Sequence, residues 1–237
     1  MPHSLPHSRR AFTLVELLVT VAILGVLAAL IVPAANSALA KGRNIVSVSR
    51  LRQLGAATQL YAQDNDGAFP RSSHSAFRRR QPAWSIALLP YLGHDGDYSN
   101  QQALQIFNTE FRDPDDASTD PNIWSYALNV YFELDPNYDD YDDAPAQWST
   151  IYNLPRPAAT VLLAECKPVL NGDHFMCHQW SGLQSAQNAI DHQRHGKTSN
   201  YLFVDGHVES LAVEQVFNPE VDINSFHPNK AGNSDRQ

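Results

Sequence analysis

Several groups of side chains in this 237-residue chain could do chemistry. The first is a single carboxylate, Glu16, set inside the otherwise apolar stretch from Phe12 to Ala35. A carboxylate at the centre of a bilayer costs roughly 2.5–3.5 kcal/mol even on insertion scales, so an ionisable residue there reads as functional and needs a partner. The plainer reading is a side chain that snorkels to the bilayer edge. His195, Asp205 and His207 offer nitrogen and oxygen donors that could hold a metal; the alternative is an imidazole hydrogen-bonded near a turn made by Asp205-Gly206. Asp173, His174, Cys177 and His178 form a second such set, without a recognised ligand spacing. The acidic run Glu133 to Asp143 crowds hard oxygen ligands of the kind Ca²⁺ takes, and Asp135, Asn137 and Asp139 are spaced like the opening of an EF-hand loop. Asp140 stands where that loop needs glycine and Ala146 where it needs a bidentate glutamate, which excludes an EF-hand. An irregular Ca²⁺ loop and a solvated surface loop stay open. Cys166 and Cys177 are the only cysteines; they form either a disulfide closing a short loop or two separate buried thiols.

The elements that must position these groups are legible in the patterning. Phe12 to Ala35 reaches the roughly 20 residues a helix needs to cross hydrocarbon. Arg9 and Arg10 lie before it and hold the N-terminus inside, although Lys41, Arg43, Arg50 and Arg52 follow it. Pro33 falls in the distal part, where a missing donor N–H predicts a kink. Beyond it Val48, Leu51, Leu54, Thr58 and Tyr61 recur at three- and four-residue spacing, an apolar stripe made to dock on a globular head. The turn cluster Asp64-Asn65-Asp66-Gly67 ends the helix. After it come short strand-like or buried runs at 85–91, 124–133, 160–165 and 200–204. Asp205-Gly206 between alternating segments predicts a hairpin with a two-residue type I′ turn.

The net charge of −8 leaves no basic footprint, and Arg78 to Arg80 is too short to make one, so nucleic acid is excluded as a partner. No Gly-x-Ser-x-Gly elbow, phosphate-cradling loop or His-Glu-x-x-His helix is present, and the chain is not expected to be an enzyme. Ala38-Leu39-Ala40 before Lys41 also fits a signal-peptide cleavage site, but Glu16 interrupts the apolar region and the peptide would exceed the usual 15–30 residues.

Phe12-Thr13-Leu14-Val15-Glu16-Leu17-Leu18 after a short basic leader resembles the processing site of type IV pilins and type II secretion pseudopilins. The resemblance implies cleavage by prepilin peptidase between Ala11 and Phe12, N-methylation of Phe12, and roles for Glu16 and Pro33 as the glutamate and proline of the assembly helix. Ala11 departs from the family's usual glycine. Cleavage would place a new α-amine on Phe12, four residues from Glu16 and on the same helix face. In a filament, the resemblance further implies, Glu16 meets the amine of a neighbouring subunit.

A second resemblance lies at the other end. His195, nine intervening residues, then Asp205-Gly206 is similar to the C-terminal motif of a large bacterial group of prepilin-like proteins. Arg52-Gln53-Leu54-Gly55, Tyr61 to Gly67, and Trp84 with Leu89-Pro90-Tyr91-Leu92 resemble the same group, so the likeness runs from residue 9 to about 210. It implies an α+β, pilin-like fold: a long N-terminal helix, transmembrane then amphipathic, packed on a small antiparallel β-sheet head. The boundaries expected are a cytoplasmic leader at 1–11, an assembly helix at 12–35, its amphipathic continuation at 36–64 and an extracytoplasmic head at 65–237. The partners implied are prepilin peptidase, other pilin or pseudopilin subunits and inner-membrane lipid, with the head periplasmic or extracellular. No cofactor is expected apart from the open question of Ca²⁺. The rival readings are a single-span extracytoplasmic binding protein that forms no filament, and a secreted enzyme released after Ala40.

Overall fold

The computed structural model describes residues 13–137, 146–168 and 172–232. The chain divides into two compact units, 1–42 and 43–237, and helix α1 (Leu14–Asp64) contributes to both. In the first unit α1 is apolar all round: its most apolar 18 residues reach a mean hydropathy of 2.8 and none of that window is buried. Every described residue up to Arg43 is exposed. A helix hydrophobic on all faces has no water-facing side, the character of a membrane span. α1 continues through Pro33.

In the second unit α1 becomes one-sided. Ser47, Leu51, Leu54, Gly55, Ala57, Thr58 and Ala62 are buried, while Val48 and Tyr61 of the expected stripe are half-buried. Leu51 and Leu54 are among the largest fully buried side chains, each contributing roughly 1.5–3 kcal/mol. A Cβ on Gly55 would stand 2.9 Å from Leu202 Cδ1 and 3.5 Å from Gly206 Cα, so glycine lets the helix approach the sheet closely. The helix ends where expected: the Ala62 carbonyl accepts from Asn65 N–H (3.2 Å) and Gly67 N–H (2.7 Å), with Gly67 at φ +81.

The head is built on a five-stranded sheet of order β3-β1-β2-β4-β5, from β1 (Tyr126–Asn129), β2 (Val161–Glu165), β3 (His174–Phe175), β4 (Ser199–Phe203) and β5 (Val208–Leu211). It is antiparallel, as expected, except at one edge, where the two-residue β3 pairs parallel with β1. The three strands β1, β2 and β4 are buried along their length, which is why they read as continuous apolar runs. The run at 85–91 is helical, not extended: α3 (Trp84–Ala87) leads into a 3₁₀ turn at Leu89–Leu92 opened by Pro90. It is buried because Trp84 packs edge-on against Phe107 of α4 (Asn100–Glu110) and donates Nε1–H to the Asp173 carbonyl at 2.9 Å.

The hairpin at Asp205-Gly206 is present, but its turn differs from the type I′ reading. Only Gly206 takes a positive φ, at +93, and the Phe203 carbonyl accepts from Gly206 N–H at 2.9 Å. That is a three-residue hairpin loop closed by a left-handed glycine. Gln59 of α1 clamps it, donating Nε2–H to the Val204 carbonyl at 2.6 Å.

The described residues after 210, up to 232, which the sequence left unassigned, are folded. A small hairpin of β6 (Phe217–Asn218) and β7 (Ile223–Asn224) leads to Phe226, which is fully buried against Phe175 and Trp180. Val161 N–H donates to the Ser225 carbonyl at 2.8 Å, beside the register shift between Val161 and Leu163.

Candidate functional site

The N-terminal site is a helix start. Thr13 N–H and Oγ1–H both donate to Glu16 Oε2 at 2.9 Å, and Glu16 N–H donates to Thr13 Oγ1 at 3.2 Å. This reciprocal pair is a capping box, Thr-x-x-Glu, which satisfies donors that the first turn otherwise leaves open. Glu16 therefore has a local partner before any cleavage. Thr13 and Glu16, three positions apart, carry that signal in the sequence, and the charge of Glu16 alone does not reveal it. Ala11 and Phe12 lie outside the described residues.

In the head, the register of the sheet sets Tyr126 opposite Glu165 and Asn200 opposite Ser210. β2 and β4 pair Leu163 with Leu202 and Ala164 with Tyr201, so Asn200 follows opposite Glu165. One polar row thus crosses four strands, three of them buried, and Ser47 of α1 lies over it. Glu165, fully buried, collects Ser47 Oγ–H at 2.7 Å, Ser199 Oγ–H at 2.9 Å, Asn200 N–H at 2.9 Å, Asn200 Nδ2–H at 3.0 Å and His195 Nε2 at 2.8 Å. Asn200 also donates to Ser47 Oγ (3.1 Å) and Asn44 Oδ1 (2.8 Å), tying the helix to the sheet.

The loop 112–123 brings further charge to this row. Arg112 holds the loop by donating to the carbonyls of Asn108, Ser118, Asp120 and Ile123. Asp113, buried, has Oδ2 3.4 Å from the Tyr126 hydroxyl and 3.8 Å from His195 Nε2. Asp115 stands 3.3 Å from His195 Nδ1 and pairs with Arg43. Arg194 donates to Asp191 (2.9 Å) and to the carbonyls of Ser125 (2.9 Å) and Cys166 (2.7 Å).

The electrostatics follow from burial and these partners. Burial and the neighbouring Glu165 charge push Asp113 up to about 6, against the pull of Ser47, Arg194 and the Asp115 N–H. Burial works to raise Glu165 as well, but the His195 hydrogen bond, the Arg194 and His195 charges and the Asn200 N–H together hold it below the usual glutamate range. Burial works to lower His195, and its bond to Glu165 and the nearby carboxylates outweigh it, so its pKa is raised.

The structure explains the His-x₉-Asp-Gly spacing: His195 stands at the entrance to β4 and Asp205-Gly206 at its exit. They do not converge. His195 turns to β2 and the 113–115 loop instead of the hairpin, while Asp205 accepts from His207 N–H (3.1 Å) and lies 2.5 Å from His207 Nδ1. The proposed His195, Asp205 and His207 ligand set is thereby divided. In the second set, Asp173 caps α2 (Ser73–Arg79) by accepting from Ser73 N–H and Oγ–H, and Cys177 donates to Asn129 Oδ1 at 3.1 Å. Asp135 is buried and accepts from Asn137 N–H at 2.7 Å, a local turn; Asp139 lies outside the described residues. Cys166 and Cys177 are both free and buried, Cys166 donating to the Trp124 carbonyl at 3.2 Å, so the structure takes the two-thiol alternative and not the disulfide.

Residues 6–32 match the prokaryotic N-terminal methylation motif. No curated protein and no solved structure matches the chain. The matched motif implies a type IV pilin-like or pseudopilin-like protein processed by prepilin peptidase, and the long apolar N-terminal helix fits that class. The helix also fits anchoring by a single membrane pass, and the motif suggests a structural subunit over an enzyme.

Proposed function

We propose that the chain is a prepilin-like structural subunit, inserted once in a bacterial inner membrane with its N-terminus cytoplasmic. Prepilin peptidase cuts between Ala11 and Phe12 and methylates the new amine. The subunit then assembles through α1 into a type IV pilus or a type II secretion pseudopilus, with the head outside. The observation that carries this reading is the methylation motif at 6–32, which spans a helix start whose Glu16 is the only charged residue between Arg10 and Lys41.

The chemistry of assembly follows from that carboxylate. Cleavage removes the chain before Phe12 and leaves an α-amine beside the Thr13–Glu16 cap. A cation entering the site offsets the charge that the cap alone solvates with two hydrogen bonds. In a filament the amine of a neighbour supplies the same cation in hydrocarbon, where the interaction is least screened. Pro33 lies further along the same packed segment, and Asp135, Asn137 and Asp139 remain a proposed weak Ca²⁺ loop on the head.

Co-expression of the chain with an active and an inactive prepilin peptidase tests the reading. Loss of the leader and recovery of subunit in sheared filaments only with the active peptidase supports it. A chain that stays whole and membrane-bound in both supports the single-span anchored protein instead.

A further inference from the structure

Among the described residues, one set of three metal-competent side chains converges: Asp113, Glu165 and His195, whose donor atoms all lie within 4.8 Å of one another. Three features set this group apart from an ordinary polar interior.

The fixed charges alone do not balance. Arg43, Arg112 and Arg194 bring three fixed positive charges to the cluster, while Asp113, Asp115, Asp116, Asp191 and Glu165 bring five carboxylates. The fixed cations therefore leave two carboxylate charges to be balanced by protons on His195 and Asp113 or by a bound cation, in a region where Glu165, Asp113 and Asp116 have fully buried side chains. Buried charge of that size is costly unless paired or bound to a metal.

The histidine is oriented as a ligand. His195 Nδ1 faces the Asp115 carboxylate at 3.3 Å, which in turn is fixed by Arg43. A carboxylate on one ring nitrogen is the usual device for aiming the other at a metal and raising its basicity. Here the other nitrogen, Nε2, points between Glu165 Oε1 at 2.8 Å and Asp113 Oδ2 at 3.8 Å.

The spacing accommodates an ion. Two ligands each about 2.1 Å from a tetrahedral centre stand about 3.4 Å apart. The His195–Asp113 separation of 3.8 Å already exceeds that, and the His195–Glu165 contact needs to open by only a fraction of an ångström. Asp113 Oδ2 has long contacts from the Tyr126 hydroxyl at 3.4 Å and His195 Nε2 at 3.8 Å, so it is held less tightly than Glu165 Oε1.

We propose that Asp113 Oδ2, Glu165 Oε1 and His195 Nε2 form a structural binding site for a divalent transition-metal ion of the zinc class. One nitrogen and two carboxylate oxygens favour such an ion over Ca²⁺, which takes six to eight oxygens. The ion neutralises the two excess charges and joins β2, the entrance to β4 and the 112–123 loop beneath α1. It acts in the head, independently of processing and filament assembly.

The test uses the full chain, free of any histidine tag, purified in detergent and stripped with a chelator. Isothermal titration with Zn²⁺ is expected to show one ion per chain, with affinity rising with pH and a raised thermal midpoint. His195→Gln and Asp113→Asn weaken binding at least about tenfold, and His207→Gln leaves it unchanged. Absence of stoichiometric Zn²⁺ binding overturns the proposal, as does equal binding by the wild type, His195→Gln and Asp113→Asn. Ca²⁺ bound in preference to Zn²⁺ overturns the class of ion. If the variants fail to fold, Co²⁺ added to the wild type decides: an intense visible spectrum of a tetrahedral nitrogen and oxygen site supports it, and the pale spectrum of hydrated Co²⁺ contradicts it.

Discussion

His195 and Glu165 meet through Nε2 and Oε1 at 2.8 Å, thirty positions apart in the chain, and Glu165 is at the same time the acceptor for Ser47 of α1. One carboxylate thus joins the helix, two strands and the motif histidine. Glu165→Ala leaves His195, Ser47, Ser199 and Asn200 without their common acceptor, and the expected cost is about 3–5 kcal/mol in chemical denaturation. Glu165→Gln keeps part of the hydrogen bonding and should cost less. Equal stability of Glu165→Ala and the wild type would remove this group from the account.

His227 gives a separate pH signature. Its Nδ1 accepts from Asn229 N–H at 3.2 Å, and its ring packs on Tyr131 and Trp148. Burial, with the Lys230 charge adding to it, lowers its pKa, so the fold favours neutral imidazole. The unfolded chain then binds the extra proton more readily. The stability this supplies is present above the ordinary histidine value of about 6.5 and is lost as pH falls through the lower folded value. Thermal unfolding between pH 7.5 and pH 5 should show a smaller acid-induced drop for His227→Gln than for the wild type. An identical drop in both would contradict the assignment.

Both thiols should be chemically silent in the native state. Burial pushes Cys166 and Cys177 up to about 12, and each donates its S–H to an oxygen. Alkylation of the native protein is expected to add no label, and alkylation after denaturation without reductant to add two. A mass two daltons short, with no labelling before reduction, would show a disulfide.

Much of this fold was legible. The buried stripe of α1 follows from Leu51, Leu54 and Thr58 at helical spacing, and β2 and β4 from their apolar runs. What escaped did so for physical reasons. Ser47 and Gly55 are small, so hydropathy does not mark them, although one holds Glu165 and the other sets the helix-to-sheet distance. Residues 85–91 have the composition of a strand, and Trp84 packing makes them helical. The Glu165 cluster depends on long-range register: nothing local links Asp113 to a histidine 82 positions later, and the pairing of β1 with β2 and β2 with β4 brings them together.

Assembly should depend on the charge at Glu16. Glu16→Leu removes the carboxylate whose pairing in hydrocarbon favours subunit contact, leaving insertion and cleavage intact. With roughly 2.5–3.5 kcal/mol at stake, filament recovery in the sheared fraction is expected to fall by about two orders of magnitude. Recovery equal to the wild type would mean that the Thr13–Glu16 cap exhausts the role of this residue.

The most direct measurement is the N-terminal sequence and intact mass of the protein recovered from its native membrane. The account predicts a chain beginning at Phe12 with one added methyl group. A chain beginning at Met1 or at Lys41 would contradict it.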